Sequence, residues 1–206
     1  LPKKIYEDSV KLYAFCRVLD DIADEKNDLN SKIKKFNEIR NFLKKTYDAD
    51  NKEIHSSDEN EKIVHDVVTL VKNNNIKKVI LDDLVDGVAS DLKKRIYIRS
   101  VKDLLIYSYR VAGTVGLMMS KILMVNDRRA LKGAIDLGIA MQLTNIARDV
   151  VEDKKMNREY IKPDFQNIQA TLKLAEMFYE SSFSSIQTIP FRYKFSIIVA
   201  RRIYRQ

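Results

Sequence analysis

Tryptophan is absent from this chain, and cysteine, histidine, proline and glycine are scarce, at one, two, three and five residues. One cysteine, Cys16, excludes an internal disulfide framework and suits a reducing, cytoplasmic setting. His55 and His65 stand at no recognised ligand spacing, so the nitrogen and sulfur donors that zinc favours are missing. Both read as surface or boundary residues. Few glycines and prolines leave little room for the turns of an all-β fold. No apolar run is long enough to span a bilayer, which limits any membrane attachment to a peripheral one.

What the chain has is charge and helical period. Of its 206 residues 45% are hydrophobic and 32% charged, ordinary values for a globular protein, and the formal net charge is +8. Lysine and arginine are interleaved with acids, with no nucleic-acid motif and no basic tail, so a nucleic-acid partner is not expected. The apolar period predicts helices over 5–25, 29–47, 60–73, 76–96, 101–124, 128–153, 165–186 and 191–205. Asn126-Asp127 and Asn73-Asn74-Asn75 read as turns with caps, and the polar stretch from Ala49 to Asn60 as a loop. Nothing marks a second domain, so residues 1–206 are expected to form one all-α domain. The chain starts at Leu1 without a methionine and stops at Gln206 inside a predicted helix, which reads as a fragment cut at both ends.

Two aspartate clusters speak to function: Asp20, Asp21 and Asp24 in YAFCRVLDDIADE, and Asp149 and Asp153 in QLTNIARDVVED. Residues four apart share a helix face, so Asp20 pairs with Asp24 and Asp149 with Asp153. Apolar residues surround both pairs on almost every side, which predicts buried helices. Uncompensated carboxylates there would cost several kcal/mol each or take up protons, so a positive partner is required. Tyr13, Arg17, Asp20 and Asp24 form one polar stripe, and Gln142, Asn145, Asp149 and Asp153 another. One acidic pair is ordinarily a solvated face. Two matching stripes, each with a guanidinium or amide upstream, point instead to hard cations such as Mg²⁺, which take oxygen ligands and are completed by phosphate oxygens. Helix-borne di-iron sites use Glu-x-x-His pairs, and the sequence has none.

YAFCRVLDDIADE, YSYRVAGTVGLMM (107–119) and LGIAMQLTNIARDVVED (137–153) resemble, in order and interval, the three signature segments of the squalene and phytoene synthases, most closely the bacterial phytoene synthases. The resemblance runs over essentially the whole chain and thins after about Pro163. It implies an isoprenoid-synthase-type helical bundle around a central cavity. It also implies that Asp20, Asp24, Asp149 and Asp153, joined by Asn145, ligate Mg²⁺, with Mn²⁺ as an alternative, and that no nicotinamide cofactor is used. Arg17 falls at the position that grips a diphosphate, and Arg148 and Arg158 are expected among the substrate-binding residues. Tyr13, Tyr107 and Gln142 fall at positions lining the reaction cavity, and Tyr160, with Arg158 as its partner, matches the tyrosine of the family's R-x-Y segment and is expected to bind substrate. Val111, Ala112, Val115 and Gly116 match small residues against which an isoprenoid tail lies. Asp91 and Tyr97 resemble a further D-L…Y element in which Ile96 stands where an arginine is usual, with Arg95 one place early. Lys162 is inserted where the family's Y-[LI]-P normally runs on.

The implied reaction is head-to-head condensation of two geranylgeranyl diphosphates to phytoene through a cyclopropylcarbinyl diphosphate. Such chemistry needs cations and basic side chains to stabilise departing diphosphate, and apolar or aromatic walls to shelter a carbocation. Tyr13, Phe15, Tyr107, Tyr109, Met118 and Met119 are available as walls, although ordinary core packing is the favoured reading for Met118 and Met119. Gly113 and Gly116 read equally as close helix contacts. Peripheral contact with an anionic membrane follows from the implied lipid substrate and the basic charge, and a monomer is expected. Three alternatives remain: a C30 squalene, hydroxysqualene or dehydrosqualene synthase using farnesyl diphosphate, a non-catalytic respiratory-complex assembly factor of the same superfamily, and a structural helical bundle with incidental acids.

Overall fold

In a computed structural model, the structure describes residues 2–25, 28–49, 58–186 and the positions 194, 198 and 202. But for those three positions, the helix expected over 191–205 lies outside the described residues, as do His55 and most of the expected loop. The chain divides into two compact units, Leu1–Leu92 and Lys93–Gln206.

The first unit holds α1 (Lys3–Asp24), α2 (Leu29–Asp48), α3 (Glu59–Asn73) and α4 (Lys78–Ala89). In α1 the buried Leu12, Phe15, Leu19 and Ile22 recur at three- and four-residue spacing. That apolar side packs on α3, whose Val64, Val67, Val68 and Val71 are buried in turn. Asp28 and Asp58 cap α2 and α3 by accepting the Ser31 and Glu61 amides at 3.1 and 3.0 Å. The Asn-rich turn forms as expected: Asn74 caps α3, and Asn75 takes a left-handed φ of 51°.

The second unit runs β1 (Ile96–Tyr97), α5 (Val101–Ser108), a π turn (Tyr109–Gly113), α6 (Thr114–Ile122), α7 (Arg128–Arg148), α8 (Val150–Lys155), β2 (Arg158–Glu159) and α9 (Phe165–Ile186). The strands form a short parallel pair, Ile96 opposite Arg158 and Tyr97 opposite Glu159. Helix α7 is the axis, lying against α9, α6 and the π turn. Its Ile139, Ala140, Leu143 and Ile146 join Ile96, Leu104, Tyr160, Ala175 and Tyr179 in one core. Asp127 starts it by accepting the Ala130 amide at 2.8 Å, the expected cap.

Three expected helices differ from the structure. The helix over 76–96 ends at Ala89, because Ile96 is buried as a strand residue in the core of the second unit and the basic run Lys93-Lys94-Arg95 stays in solvent. The helix over 101–124 carries the π turn, in which the Thr114 amide reaches back to the Tyr109 carbonyl and the Thr114 hydroxyl bonds the Arg110 carbonyl at 2.6 Å. The helix over 128–153 breaks at Asp149, whose φ and ψ are −96° and 10°.

Glycines set the approach of α7 to its neighbours. A Cβ on Gly116 would collide with the Ala134 carbonyl, and one on Gly138 with the Ala112 carbonyl. Backbone therefore meets backbone at both crossings. Asp136 is buried at 5% exposure and accepts hydrogen bonds from Lys132 Nζ at 2.5 Å and Ser181 Oγ at 2.6 Å, tying α7 to α9. We expect Gly116→Ala to cost about 1–3 kcal/mol by forcing this crossing apart, measured by urea unfolding. An unchanged midpoint would show that the crossing yields freely.

Candidate active site

The expected site residues fall in both units. In the first unit Tyr13, Arg17, Asp20 and Asp24 line one stripe of α1, as their spacing predicts. The stripe is exposed and not buried, with Tyr13 at 69% exposure, which corrects the expectation of a helix enclosed on all sides. The apolar residues of α1 concentrate on the side facing α3, and Ala14, Cys16 and Val18 between the faces are only half-buried. Arg17 bridges to Asp21 at 2.8 Å.

Exposure does not make the acids comfortable. The Asp20 carboxyl is raised to about 6, first because surrounding protein strips its hydration, then because Asp24 repels its charge, with Asp91 adding to the repulsion and Arg17 opposing it. Asp91, just beyond the end of α4, therefore belongs to this acidic group, which is invisible from its distance along the chain. The neighbouring Cys16 thiol is pushed to about 12, chiefly by burial and then by Asp20, so it stays neutral and unreactive.

In the second unit Gln142 and Asn145 stand half-buried on α7, one face with Asp149. The Asn145 Oδ1 is buried, and no hydrogen-bond donor reaches it among the described residues. A buried carbonyl oxygen without a donor is a costly vacancy for a hydrogen bond or a cation. Although the helix breaks at Asp149, the Asp153 amide still bonds the Asp149 carbonyl at 2.8 Å, so the four-residue spacing of the acids survives. Arg148 grips Asp149 with Nε on Oδ1 and Nη2 on Oδ2, both at 2.6 Å, and this holds the Asp149 carboxyl below the usual range.

Tyr107 and Tyr160 are brought together from 53 residues apart. Their rings stack at 4.8 Å with 23° between planes, and their hydroxyls bond at 3.1 Å. Val111 and Ala112 lie in the π turn, with Val115 and Gly116 directly after it in α6 and Arg158 on β2. Met118 is fully buried core, and Gly113 and Gly116 serve close packing. Arg95 faces Glu159 at 3.9 Å, while Ile96 points inward.

Among the described residues no three acidic, histidine or cysteine side chains are grouped to enclose an ion by themselves. Pairs of helix-borne carboxylates with an orphaned amide oxygen suit Mg²⁺, which keeps its waters and shares phosphate oxygens with a substrate, better than a cation needing a full protein cage. The donor set fits.

An all-α architecture carrying two such stripes is that of the isoprenoid synthases. The chain superposes along its whole length on 76% of a dehydrosqualene synthase crystallised with a ligand, at a TM-score of 0.75 and 28% identity. It also superposes on 82% of the squalene synthase HpnC from Alicyclobacillus acidocaldarius, at 0.79, where 17% identity shows the fold alone. The Squalene/phytoene synthase family model matches residues 1–165, and the chain belongs to that family of prenyltransferase enzymes. It is 32% identical to the 15-cis-phytoene synthase of a Paracoccus species, over all of this chain and 73% of that enzyme. It is 31% identical to that of Enterobacter agglomerans, over 95% of this chain and 73% of that enzyme. A match to the phytoene synthase of Pseudescherichia vulneris, at 36%, spans 60% of this chain and about half of that enzyme's length, 47%.

The Asp20 shift carries a sign. Its folded value of about 6 lies above the ordinary 3.8, so the folded chain holds the proton more tightly and loses stability as pH climbs through that window. Asp20→Asn is expected to raise the Tm of the metal-free protein above pH of about 6 and to leave it unchanged below 3.8. A calorimetric series with no gain at neutral pH would remove the repulsion at this group.

Proposed function

We propose that the chain is a phytoene synthase, condensing two geranylgeranyl diphosphates head to head in the presence of Mg²⁺. What carries the chemistry is found separately in each unit: in the first Asp20 is crowded by Asp24 and Asp91, and in the second the buried Asn145 Oδ1 has no donor among the described residues. The choice of C20 substrates is supported by the phytoene synthases matched across nearly the whole chain.

Asp20 and Asp24, and Asp149 and Asp153 with Asn145, would hold Mg²⁺. When bound, Mg²⁺ supplies positive charge to the oxygens of a departing diphosphate. Arg17 in the first unit, and Arg148 and Arg158 in the second, would donate hydrogen bonds to diphosphate oxygens, and Arg148 must then divide its guanidinium between diphosphate and Asp149. The stacked Tyr107 and Tyr160 offer π density to a carbocation while their mutual hydrogen bond fixes the ring planes. Tyr13 in the first unit and Gln142 in the second would add a polar group beside each aspartate motif. Val111, Ala112, Val115 and Gly116 supply a low apolar wall for an isoprenoid tail, in a backbone widened by the π turn. Released diphosphate would serve as the proton acceptor, with no side-chain base evident among the described residues.

The same reading places the protein as a cytoplasmic monomer in peripheral contact with the membrane that holds its substrate and product. Its basic balance supports this, and no helix among the described residues is long and apolar enough to cross a bilayer. A C30 synthase using farnesyl diphosphate is the second reading, favoured by the 28% identity to a dehydrosqualene synthase along the whole chain.

Incubation with Mg²⁺ and either geranylgeranyl or farnesyl diphosphate, followed by mass analysis of the extracted lipid, tests the proposal. A C40 hydrocarbon is expected from the C20 substrate, with turnover reduced about 100-fold or more in Asp149→Asn. A C30 product moves the assignment to the second reading. No product from folded protein, or full activity in Asp149→Asn, overturns the metal-dependent synthase.

A further inference from the structure

The run from Lys93 to Lys102 contains Lys93, Lys94, Arg95, Arg99 and Lys102 and no acid, and all five cations are exposed. Strand geometry sorts this run into two faces. Ile96 is buried and Ile98 packs against the core, while Arg95, Tyr97 and Arg99 point outward. Val101, at 60% exposure, extends the outward row onto the start of α5. The result is a row of alternating basic and apolar side chains on the edge of the second unit.

A pocket of about 210 Å³ opens beside this row, with Arg99 and Lys162 among its charged lining and Ile98, Val101, Ile161 and Leu174 among its apolar lining. That volume is below the roughly 300–1,000 Å³ of sites that enclose small molecules, too small for a second prenyl substrate and suited to a headgroup or the end of one acyl chain. The neighbouring acids are engaged. Asp103 bonds the Ser100 hydroxyl at 2.7 Å, Glu159 faces Arg95 at 3.9 Å, and Asp164 bonds Asn167 at 2.7 Å. Arg99 has no acidic partner among the described residues.

We propose that this row and pocket form the surface by which the protein seats on an anionic phospholipid bilayer, the basic side chains meeting lipid phosphates while Tyr97 and Val101 enter the interfacial layer. The charge favours an anionic surface, and the apolar members of the row favour a bilayer over a polyanion lacking an apolar layer. Tyr160 lines the same pocket and stacks on Tyr107, so a lipid seated here touches the outer side of a proposed cavity wall. This inference rests on the peripheral membrane contact proposed above and assigns the face that makes it.

The test is co-sedimentation of the full chain with vesicles of phosphatidylcholine alone or mixed with phosphatidylglycerol, at low and high salt. The wild-type protein is expected to bind only the mixed vesicles, and less at high salt. The double variant Arg99→Glu, Val101→Ser is expected to weaken that binding about tenfold or more, and Lys44→Glu on α2, with the same change in net charge, to leave it intact. If the double variant fails to fold by circular dichroism, Arg99→Gln is expected to give a smaller loss with a shallower salt dependence. Wild-type binding that survives either folded variant, or falls equally in Lys44→Glu, overturns this surface and leaves membrane contact standing. No wild-type binding to either vesicle overturns both. Tighter binding to an RNA oligonucleotide than to mixed vesicles would assign the row to nucleic acid and overturn the lipid.

Discussion

Helix α7 can hold a site only because its backbone comes close to the elements beside it. At Gly116 and Gly138 the absent side chains let α7 approach α6 and the π turn until carbonyl oxygens occupy the space a Cβ would need. On the opposite flank Gly133 leaves room for Ser185 of α9. Between these crossings the buried Asp136 accepts from Lys132 and Ser181, a polar clamp whose worth lies in being fully satisfied. With α7 fixed from both sides, the next two turns can carry Gln142, Asn145 and Asp149 without their positions drifting. The polar residues of the proposed site stand on the most tightly held helix of their unit.

The two aspartate motifs meet the cost of carboxylates differently. Around Asp20, Asp24 and Asp91 the charges crowd, and Asp20 answers by holding its proton to a pH of about 6. At Asp149 the charge is already answered by both arms of Arg148. On the proposed reading, a cation at the first motif would relieve repulsion and compete with a proton, and one at the second would meet a carboxylate whose charge is partly compensated. On that reading, binding at the first would be the more pH-sensitive of the two, and binding at the second the more dependent on diphosphate drawing Arg148 away.

The helices and the stripes were legible in the sequence because both follow from spacing: Tyr13, Arg17, Asp20 and Asp24 share a face whatever the helix packs against. Burial of that face was not legible. The apolar residues of α1 were counted around the whole helix, when packing against α3 concentrates the buried ones on one side and leaves the carboxylates in contact with water. Asp91 could be named from its resemblance to a family element, but its closeness to Asp20 depends on how α4 packs, which no local pattern encodes. Lys132 and Asp136, four apart in an apolar helix, could have signalled the clamp to α9; their partner Ser181 lies 45 residues on and carries no signal of its own. The end of α4 at Ala89 was missed because Ile96 reads as helical locally and is won for a strand by the core it enters.

Regular helix fails at two places in the second unit, and proposed site residues stand at both. The π turn contains Val111 and Ala112 and widens the helix between Tyr107 and Gly116. The break at Asp149 turns the chain while the Asp153 amide keeps its bond to the Asp149 carbonyl, so the second acid stays in step with the first. A straight helix through either point would satisfy more backbone with less distortion, and each departure must be stabilised by its surroundings. At the π turn the stabilisation is visible, in the Thr114 hydroxyl on the Arg110 carbonyl and in the glycine crossing at Gly138. At Asp149 it is the grip of Arg148 on the carboxylate. Replacing Arg148 would therefore act twice, on the charge offered to a cation and on the side-chain grip at the backbone turn that sets the spacing of the acids.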